Sequence, residues 1–432
     1  MRCDKASQTS SKLLTQQGGP TLHRQHLSSC LGREVRRVLA NDNCTGCGVC
    51  ALVSSRITIG LDSRGFSRPF VDSAASLDEH EDQHEASVFV KVCPGAMLRA
   101  PASASKRRHP VFGAYLEAWQ GWAIDVEFRH AGASGGVLSA LAHWLVSTGQ
   151  SAGTSGCGMC ADNPTHTVPL RITTRDEALA SAGSRYAPVA NSTVRHAGGE
   201  PFIGKPCEVS GLAQLASVTG ADDENRPLLL SFFCAGTPSQ HATDHLVTKL
   251  GVDIDDVSSL RYRGNGWPGN FEIRTVDGAV RQLSYEESWG SVLGRRLQTR
   301  CKLCPDGTGE HADIAVGDYW AADERGFPQF SDAAGNSAII ARTQRGVALL
   351  RAAHEAGVVA LEPIDLDRVA AVQPLQSQRR VTLAGRLVGR RVAGYRIPRY
   401  RDYNLLRSCL RHPIANFKAA AGTFTRSAGL RK

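Results

Sequence analysis

The chain has 432 residues, 42% of them hydrophobic and only 6% aromatic, and a formal net charge of +9. That length supports two or three domains with a sizeable core, and no run of apolar residues is long enough to mark a membrane-spanning helix. The charge is uneven: from Arg379 to Lys432 fourteen Lys and Arg stand against one acid, Asp402, giving +13 over 54 residues and leaving the rest at −4, which excludes a generally basic nucleic-acid binder.

Residues 1–38, polar and without period, read as a flexible leader. They lack the apolar stretch of a secretory signal, so a cytoplasmic location is the default expectation. Residues 39–101 form a cysteine-bounded segment, in which the acidic run Ser76 to Glu85 reads as a loop insertion. Ala102 to His109 reads as a linker. A Gly-rich turn after Gly132 opens a predicted helix, Gly136 to Ser147, with Val137, Leu141, Trp144 and Leu145 on one face. The apolar run Pro227 to Phe233 predicts a buried strand with Cys234 at its C-terminal end, and Gln240 to Leu250 the following helix. Another helix is predicted over Arg345 to Gly357. Alternation of this kind across 110–345 predicts an α/β (α+β) core. Residues 346–432 read as a helical and basic C-terminal tail.

The thirteen cysteines come in tight groups, which favours metal over a disulfide scaffold. Cys44, Cys47 and Cys50, in NCTGCGVC, are spaced so that one short loop can wrap three corners of a cubane cluster, with Gly46 and Gly48 permitting the tight turns. Ferredoxin-type runs take their fourth ligand from a distant Cys-Pro, and Cys93-Pro94 is such a dipeptide. A zinc site would more often use paired C-x-x-C arms. Cys301 and Cys304, in RCKLCPDG, are a C-x-x-C that by itself fits zinc, a redox dithiol or a cluster equally. Cys207 and Cys234 each follow apolar residues before a turn or helix start, and by spacing alone each could be a plain buried thiol. Cys157 and Cys160 read as ordinary thiols.

Taken in order, the motifs resemble a known family. CTGCGVC, Ser134-Gly135-Gly136, Gly183 to Tyr186, Gly204 to Cys207, Cys234 to Gly236, Gly266 to Gly269, Arg300 to Cys304 and Ala312 to Trp320 are similar to the beta subunits of coenzyme F(420) hydrogenases and dehydrogenases. Relatives of that family include iron–sulfur flavin reductases of chlorophyll metabolism. The resemblance implies FAD as cofactor and a second 4Fe–4S cluster held by Cys207, Cys234, Cys301 and Cys304, beside the one expected at Cys44, Cys47, Cys50 and Cys93. It also implies that the Ser134-Gly135-Gly136 turn approaches the flavin, with backbone amides at a helix N-terminus facing its phosphates. Arg185, Tyr186 and Lys205 are the other expected cofactor-binding residues, although Arg185 and Lys205 depart from the commonest family pattern. Asp313, Asp318 and Trp320 are expected to be structural, around the cluster loop.

Clusters move single electrons and a flavin can pass on a pair, so the expected activity is an iron–sulfur flavoprotein oxidoreductase. It would take electrons from a ferredoxin-like donor and deliver them to a small two-electron substrate. Two other readings stay open: a beta subunit that uses coenzyme F(420) as partner, and a non-catalytic electron-transfer subunit. No nucleic-acid partner is expected. The basic tail reads as a docking surface for an anionic membrane or an acidic protein, or else as a wrap around the protein's own body.

Overall fold

The run Leu229–Phe232 is apolar on both faces, as a strand covered from both sides must be. In the computed structural model, which describes residues 29–72, 78–102, 107–193, 199–221, 225–322, 328–329 and 334–429, it lies inside an eight-stranded mixed sheet. The strands are β1 (Glu117–Ala123), β2 (Thr154–Met159), β3 (Thr167–Ile172), β4 (Phe202–Gly204), β5 (Leu229–Phe232), β6 (Ile314–Asp318), β7 (Ser337–Ala341) and β8 (Val359–Pro363). Their order is β8-β1-β7-β6-β5-β4-β2-β3. The central strands β6, β5, β4 and β2 are parallel neighbours, and the flanking pairs are antiparallel. Leu230 stands between Ile203 and Ile314 in register. Because β4 and β5 run the same way, their C-terminal ends open on one edge of the sheet. The chain leaves that edge through Lys205-Pro206-Cys207 and Phe233-Cys234.

The α/β (α+β) core is thus present, and it runs past the expected boundary at 345, because β8 is an edge strand of the sheet. On one face, helices Val137–Ser147 and Gln344–Glu355 pack Val137, Leu141, Val347 and Leu350 against Leu230, Ile314, Ile339 and Val359. On the other, Val209 of helix Pro206–Thr219 meets Phe202 and Leu229. A second apolar core joins helix Gln240–Lys249 to a three-stranded antiparallel sheet, Val257–Arg261, Phe271–Thr275 and Val280–Leu283.

Two sequence readings near the N-terminus are corrected. Residues 1–28 of the expected leader lie outside the described residues, but Cys30–Leu39 is a helix, α1. Ser29 caps it by accepting from the Gly32 amide at 2.9 Å, and it buries Leu31, Val35 and Val38. The acidic run expected as a loop is a helix from Glu79: α2, Glu79–Val92, is capped by Asp78 and buries Ala86, Phe89 and Val92. Its acids Glu79, Glu81 and Asp82 sit in the first turn, where the helix dipole favours them. Of the expected linker, Arg108–His109 pairs with Gly113–Ala114, and 103–106 lie outside the described residues.

The basic tail is largely part of the body. A nineteen-residue helix, α3 (Pro374–Val392), buries Arg379, Arg380 and Arg390. Arg380 pairs with Glu310 at 2.9 Å and Arg390 with Asp42 at 3.3 Å. Strand Arg399–Arg401 then pairs with Met97–Arg99, and two further helices follow, Leu405–Arg411 and α4 (Pro413–Ser427). Among the described residues, no helix is long and apolar enough to cross a membrane.

Candidate functional site

The first cysteine group is assembled from three pieces. Cys44, Cys47 and Cys50 lie on the loop after α1, and Cys50 opens a one-turn helix, Cys50–Val53. Cys93 caps the C-terminus of α2. The loop needs its glycines: Gly46 and Gly48 have φ of +70° and +88°, and a Cβ on them would lie 2.9 Å from the Ser67 carbonyl oxygen and 2.8 Å from Thr193 Cγ2. Cys47, Cys50 and Cys93 are buried. Burial, and then contact with polar neighbours and the other thiols, leaves the Cys47 thiol raised to about 11. Cys50 is raised too, first by burial and then by Cys47, Cys44 and Cys93. The four sulfurs therefore sense one another.

The second group comes from strand ends and one loop. Cys207 lies in the first turn of helix Pro206–Thr219, Cys234 follows β5, and Cys301 and Cys304 sit on and just after the short helix Thr299–Lys302. Burial, then the charges of Cys301 and Cys304 among others, raises the Cys234 thiol to about 12. Cys301 Sγ accepts from the Thr237 amide at 3.3 Å and from Gln298 Nε2 at 3.4 Å. Cys207 packs in the same apolar cluster as Cys47, so the two groups are neighbours. The structure thus brings Cys44, Cys47, Cys50 and Cys93 near one another, and Cys207 and Cys234 near each other with Cys301 and Cys304 beside Cys234. Among the described residues, no three Cys, His, Asp or Glu side chains close tightly around a single metal ion.

Charge balance is the most informative local fact. Arg300 is 2% exposed, and among the described residues no carboxylate forms an ion pair with it. Its guanidinium donates to the carbonyls of Leu303 at 3.2 Å and Pro94 at 2.9 Å, while Nε has no partner. It lies over the Tyr400 ring, and the other charges it faces are those of Cys304, Cys207 and Cys301. A buried cation without an anion is costly. Thiolates joined in an anionic cluster would supply that anion, whereas neutral thiols would not. The donor set and this trapped cation therefore fit an iron–sulfur group. Arg300, through Pro94, and Gln298, whose Nε2 donates to the Thr45 carbonyl at 2.8 Å, also tie the two cysteine loops together.

Beside the second group lies a cavity of about 310 Å³, a size typical of cofactor pockets. Cys234 lines it, and so do Ser134, Gly136, Arg185, Tyr186 and Lys205 of the predicted cofactor residues. Gly135 is not part of the lining, and its amide is held by Ser337 Oγ at 2.9 Å. Gly136 caps helix Val137–Ser147 in a left-handed conformation with no side-chain cap, and Val137, Leu138 and Ser139 border the cavity. That is an uncapped helix N-terminus turned to a pocket, a ready anion site. Arg185 and Lys205 differ from the expectation. Arg185 donates to Thr167 Oγ1 at 2.9 Å and to the Leu260 carbonyl at 3.2 Å. Lys205 Nζ is held by Glu208 at 2.5 Å and by the Val189 carbonyl at 2.7 Å. Both are anchored in protein, so the helix amides are the better partners for phosphate.

Two pocket residues, Tyr285 and Trp289, escape the sequence reading. Tyr186, Tyr285, Trp289 and Trp320 form an aromatic wall, with Tyr186 and Trp289 rings 4.5 Å apart. Behind it, buried Arg263 pairs with Asp318 at 2.9 Å and lies over the Tyr285 and Trp320 rings. Asp318 and Trp320 thus border the cavity and not the cluster loop. Their place in the Ala312 to Trp320 motif is the one available signal. Asp313 is structural, but elsewhere: it accepts from Arg226 at 2.8 and 2.9 Å, from the Leu229 amide at 2.8 Å and from Thr343 at 2.6 Å. Cys157 borders the cavity as a free thiol, as expected, whereas Cys160, also expected as an ordinary thiol, is disulfide-bonded.

Comparison with known proteins agrees with the motifs. The family described as "Coenzyme F(420) hydrogenase/dehydrogenase, beta subunit" matches in two parts, its N-terminal part over residues 118–195 and its C-terminal part over 201–367. A coenzyme F(420) hydrogenase subunit beta from Methanococcus voltae is 26% identical over 300 residues, covering 66% of this chain and 99% of the relative. Its counterpart from Methanothermobacter thermautotrophicus is 25% identical over 304 residues, covering 67% and 99%. A coenzyme F(420)-dependent sulfite reductase from Methanocaldococcus jannaschii is 22% identical over 351 residues, covering 77% of this chain but 49% of that enzyme. Among solved structures, a chain of the F(420)-reducing NiFe hydrogenase complex from Methanosarcina barkeri matches at 20% identity with a TM-score of 0.48, covering 63% of this chain and 91% of that one. The named relatives are redox enzymes or subunits of them. The chain belongs to the coenzyme F(420) hydrogenase/dehydrogenase beta-subunit family.

Proposed function

We propose that this chain is an iron–sulfur flavoprotein oxidoreductase that carries two 4Fe–4S clusters and FAD. When bound, the clusters would relay single electrons and the flavin would exchange them for pairs. The observation that carries the reading is the position of Cys234. It belongs to the second cysteine group and also lines the cavity, so a one-electron centre and a two-electron pocket share a wall.

The roles of the residues follow. Cys44, Cys47, Cys50 and Cys93 hold the first cluster, and Cys207, Cys234, Cys301 and Cys304 the second. Arg300 balances the charge of the second set. The first-turn amides of helix Val137–Ser147 take the phosphates, and the wall of Tyr186, Tyr285, Trp289 and Trp320 offers apolar faces to a flat ring system. An N-terminal ferredoxin-like segment, a ferredoxin-type donor and a cytoplasmic location belong to the same reading. The relatives' printed names favour a second reading, in which the two-electron partner is coenzyme F(420) itself.

Protein purified without oxygen is expected to be brown, with about eight iron and eight acid-labile sulfide per chain, and to release FAD on denaturation. Roughly four iron with every cysteine intact would remove one of the two sites, and zinc in their place would remove both. Comparing ferredoxin with coenzyme F(420) as the reductant of the bound flavin separates the two readings.

A further inference from the structure

The end of the chain carries a surface that the redox reading does not use. Helix Leu405–Arg411 and α4 present Leu406, Leu410, Ile414 and Phe417 to solvent at 73%, 72%, 71% and 76% exposure. Leu406 and Leu410 are four residues apart on the first helix, and Ile414 and Phe417 three apart on α4, so each pair shares one face of its helix. The opposite face is fixed to α3. Asn416 accepts from the Gly385 amide at 2.8 Å and donates to the Val381 carbonyl at 3.0 Å. A Cβ on Gly385 or Gly389 would lie 2.0 Å from the Asn416 carbonyl oxygen and 2.2 Å from that of Ala420, so the helices meet backbone to backbone. The apolar surface is therefore held outward by a rigid mount.

Cations flank it. Arg407, Arg411 and Lys418 are exposed, and across residues 393–429 the sole acid is Asp402, which lies 3.6 Å from Arg99. Large apolar side chains this exposed form protruding knobs. A small ligand needs the reverse, a concavity. Knobs on one side and Arg and Lys around them are the features of helices that lie in the interface of a bilayer with anionic headgroups. The surface lies beyond residue 367, where the match to the family model ends.

We propose that this face docks the protein on an anionic lipid surface, with Leu406, Leu410, Ile414 and Phe417 entering the headgroup boundary and Arg407, Arg411 and Lys418 meeting lipid phosphates. The proposal is independent of which cofactors the core holds. It is tested by flotation of the full-length protein with phosphatidylglycerol vesicles and with phosphatidylcholine vesicles at about 0.15 M salt. The wild type is expected to float with the anionic vesicles and stay behind with the zwitterionic ones. Leu410→Ser combined with Phe417→Ser, and separately Arg411→Glu combined with Lys418→Glu, are expected to cut the floated fraction by about tenfold or more. These side chains are exposed, so circular dichroism and melting should match the wild type, which separates lost docking from lost fold. No flotation, equal flotation on both vesicles, or an apolar variant that floats like the wild type overturns the proposal. So does a wild type that stays in solution but forms a stable complex with another protein that either pair of substitutions breaks, since the face is then a protein interface.

Discussion

Arg300 shows how much one buried side chain can reveal. A fixed positive charge beside a cluster favours its reduced, more negative state. Arg300→Gln is therefore expected to move the midpoint potential of the second cluster negative, by about 59 mV for each tenfold change in the one-electron ratio. Arg300→Lys should keep most of the wild-type value. Redox titration followed by electron paramagnetic resonance reads this directly; equal potentials in all three proteins would remove the charge-balancing role. Asp313 makes a prediction of another kind. Burial opposes its charge, but the Arg226 pair and the Leu229 and Thr343 hydrogen bonds outweigh that and hold the carboxyl below its ordinary range. A depressed native value contributes stability that is complete above the unfolded range, near pH ~4, and is lost as pH falls through the native value. Asp313→Ala should cost about 3–5 kcal/mol at neutral pH by leaving Arg226 without its partner. It should also flatten the acid limb of the stability curve, as denaturant melts at several pH values would show.

At the scale of elements, the contact between α3 and α4 rests on two glycines. Gly389→Leu must push α4 away from α3, at a cost of about 1–3 kcal/mol, and a lower melting temperature with unchanged cofactor content is the expected result. The element scale also separates what the sequence discloses from what it does not. The helix after Gly136 and the strand ending at Phe232 are legible because their periodicity and turn residues act locally. The spacings of Cys44, Cys47 and Cys50 and of Cys301 and Cys304 are legible in the same way, as properties of short loops, whereas Cys207 and Cys234 stand out only through the family resemblance. Helix α2 hides because its acids look like a loop until Asp78 is recognised as a cap and Ala86, Phe89 and Val92 as one face. The aromatic wall is half legible: Tyr186 and Trp320 stand in recognisable motifs, whereas Tyr285 and Trp289 join them only through tertiary folding. The fate of the tail arginines is not legible. An arginine that pairs with Glu310, 70 residues away, or with Asp42, 348 residues away, looks, in sequence, the same as one in solvent.

For the whole molecule, the contacts define a path. Cys47 packs with Cys207, and Cys234 of the second group borders the cavity, so the proposed order is first cluster, second cluster, flavin. Cys47→Ala should abolish flavin reduction by a protein donor in stopped-flow measurements while leaving reduction by dithionite largely intact. An unaltered rate with the protein donor would show that electrons do not enter there. The tail bears on this path as well. Arg379 donates to the carbonyls of Cys234 and Ala235, each at 3.2 Å. Truncation before Arg379 is thus expected to lower iron content, measurable by metal analysis, and not only to alter docking.

Asn43 Nδ2 donates to the Arg396 carbonyl at 2.8 Å, the Arg396 amide donates to Asn41 Oδ1 at 2.7 Å, and Arg390 reaches the Asn41 carbonyl at 3.2 Å. Translation delivers Cys44 some 350 residues before these moorings. The first cysteine loop thus leaves the ribosome without these moorings, and it acquires them only after Arg396 has been made. Its thiols are meanwhile open to oxidation and to stray metal. On the proposed two-cluster reading, iron insertion at that loop waits for these moorings, and nascent chains stalled before Arg390 should be recovered without iron there.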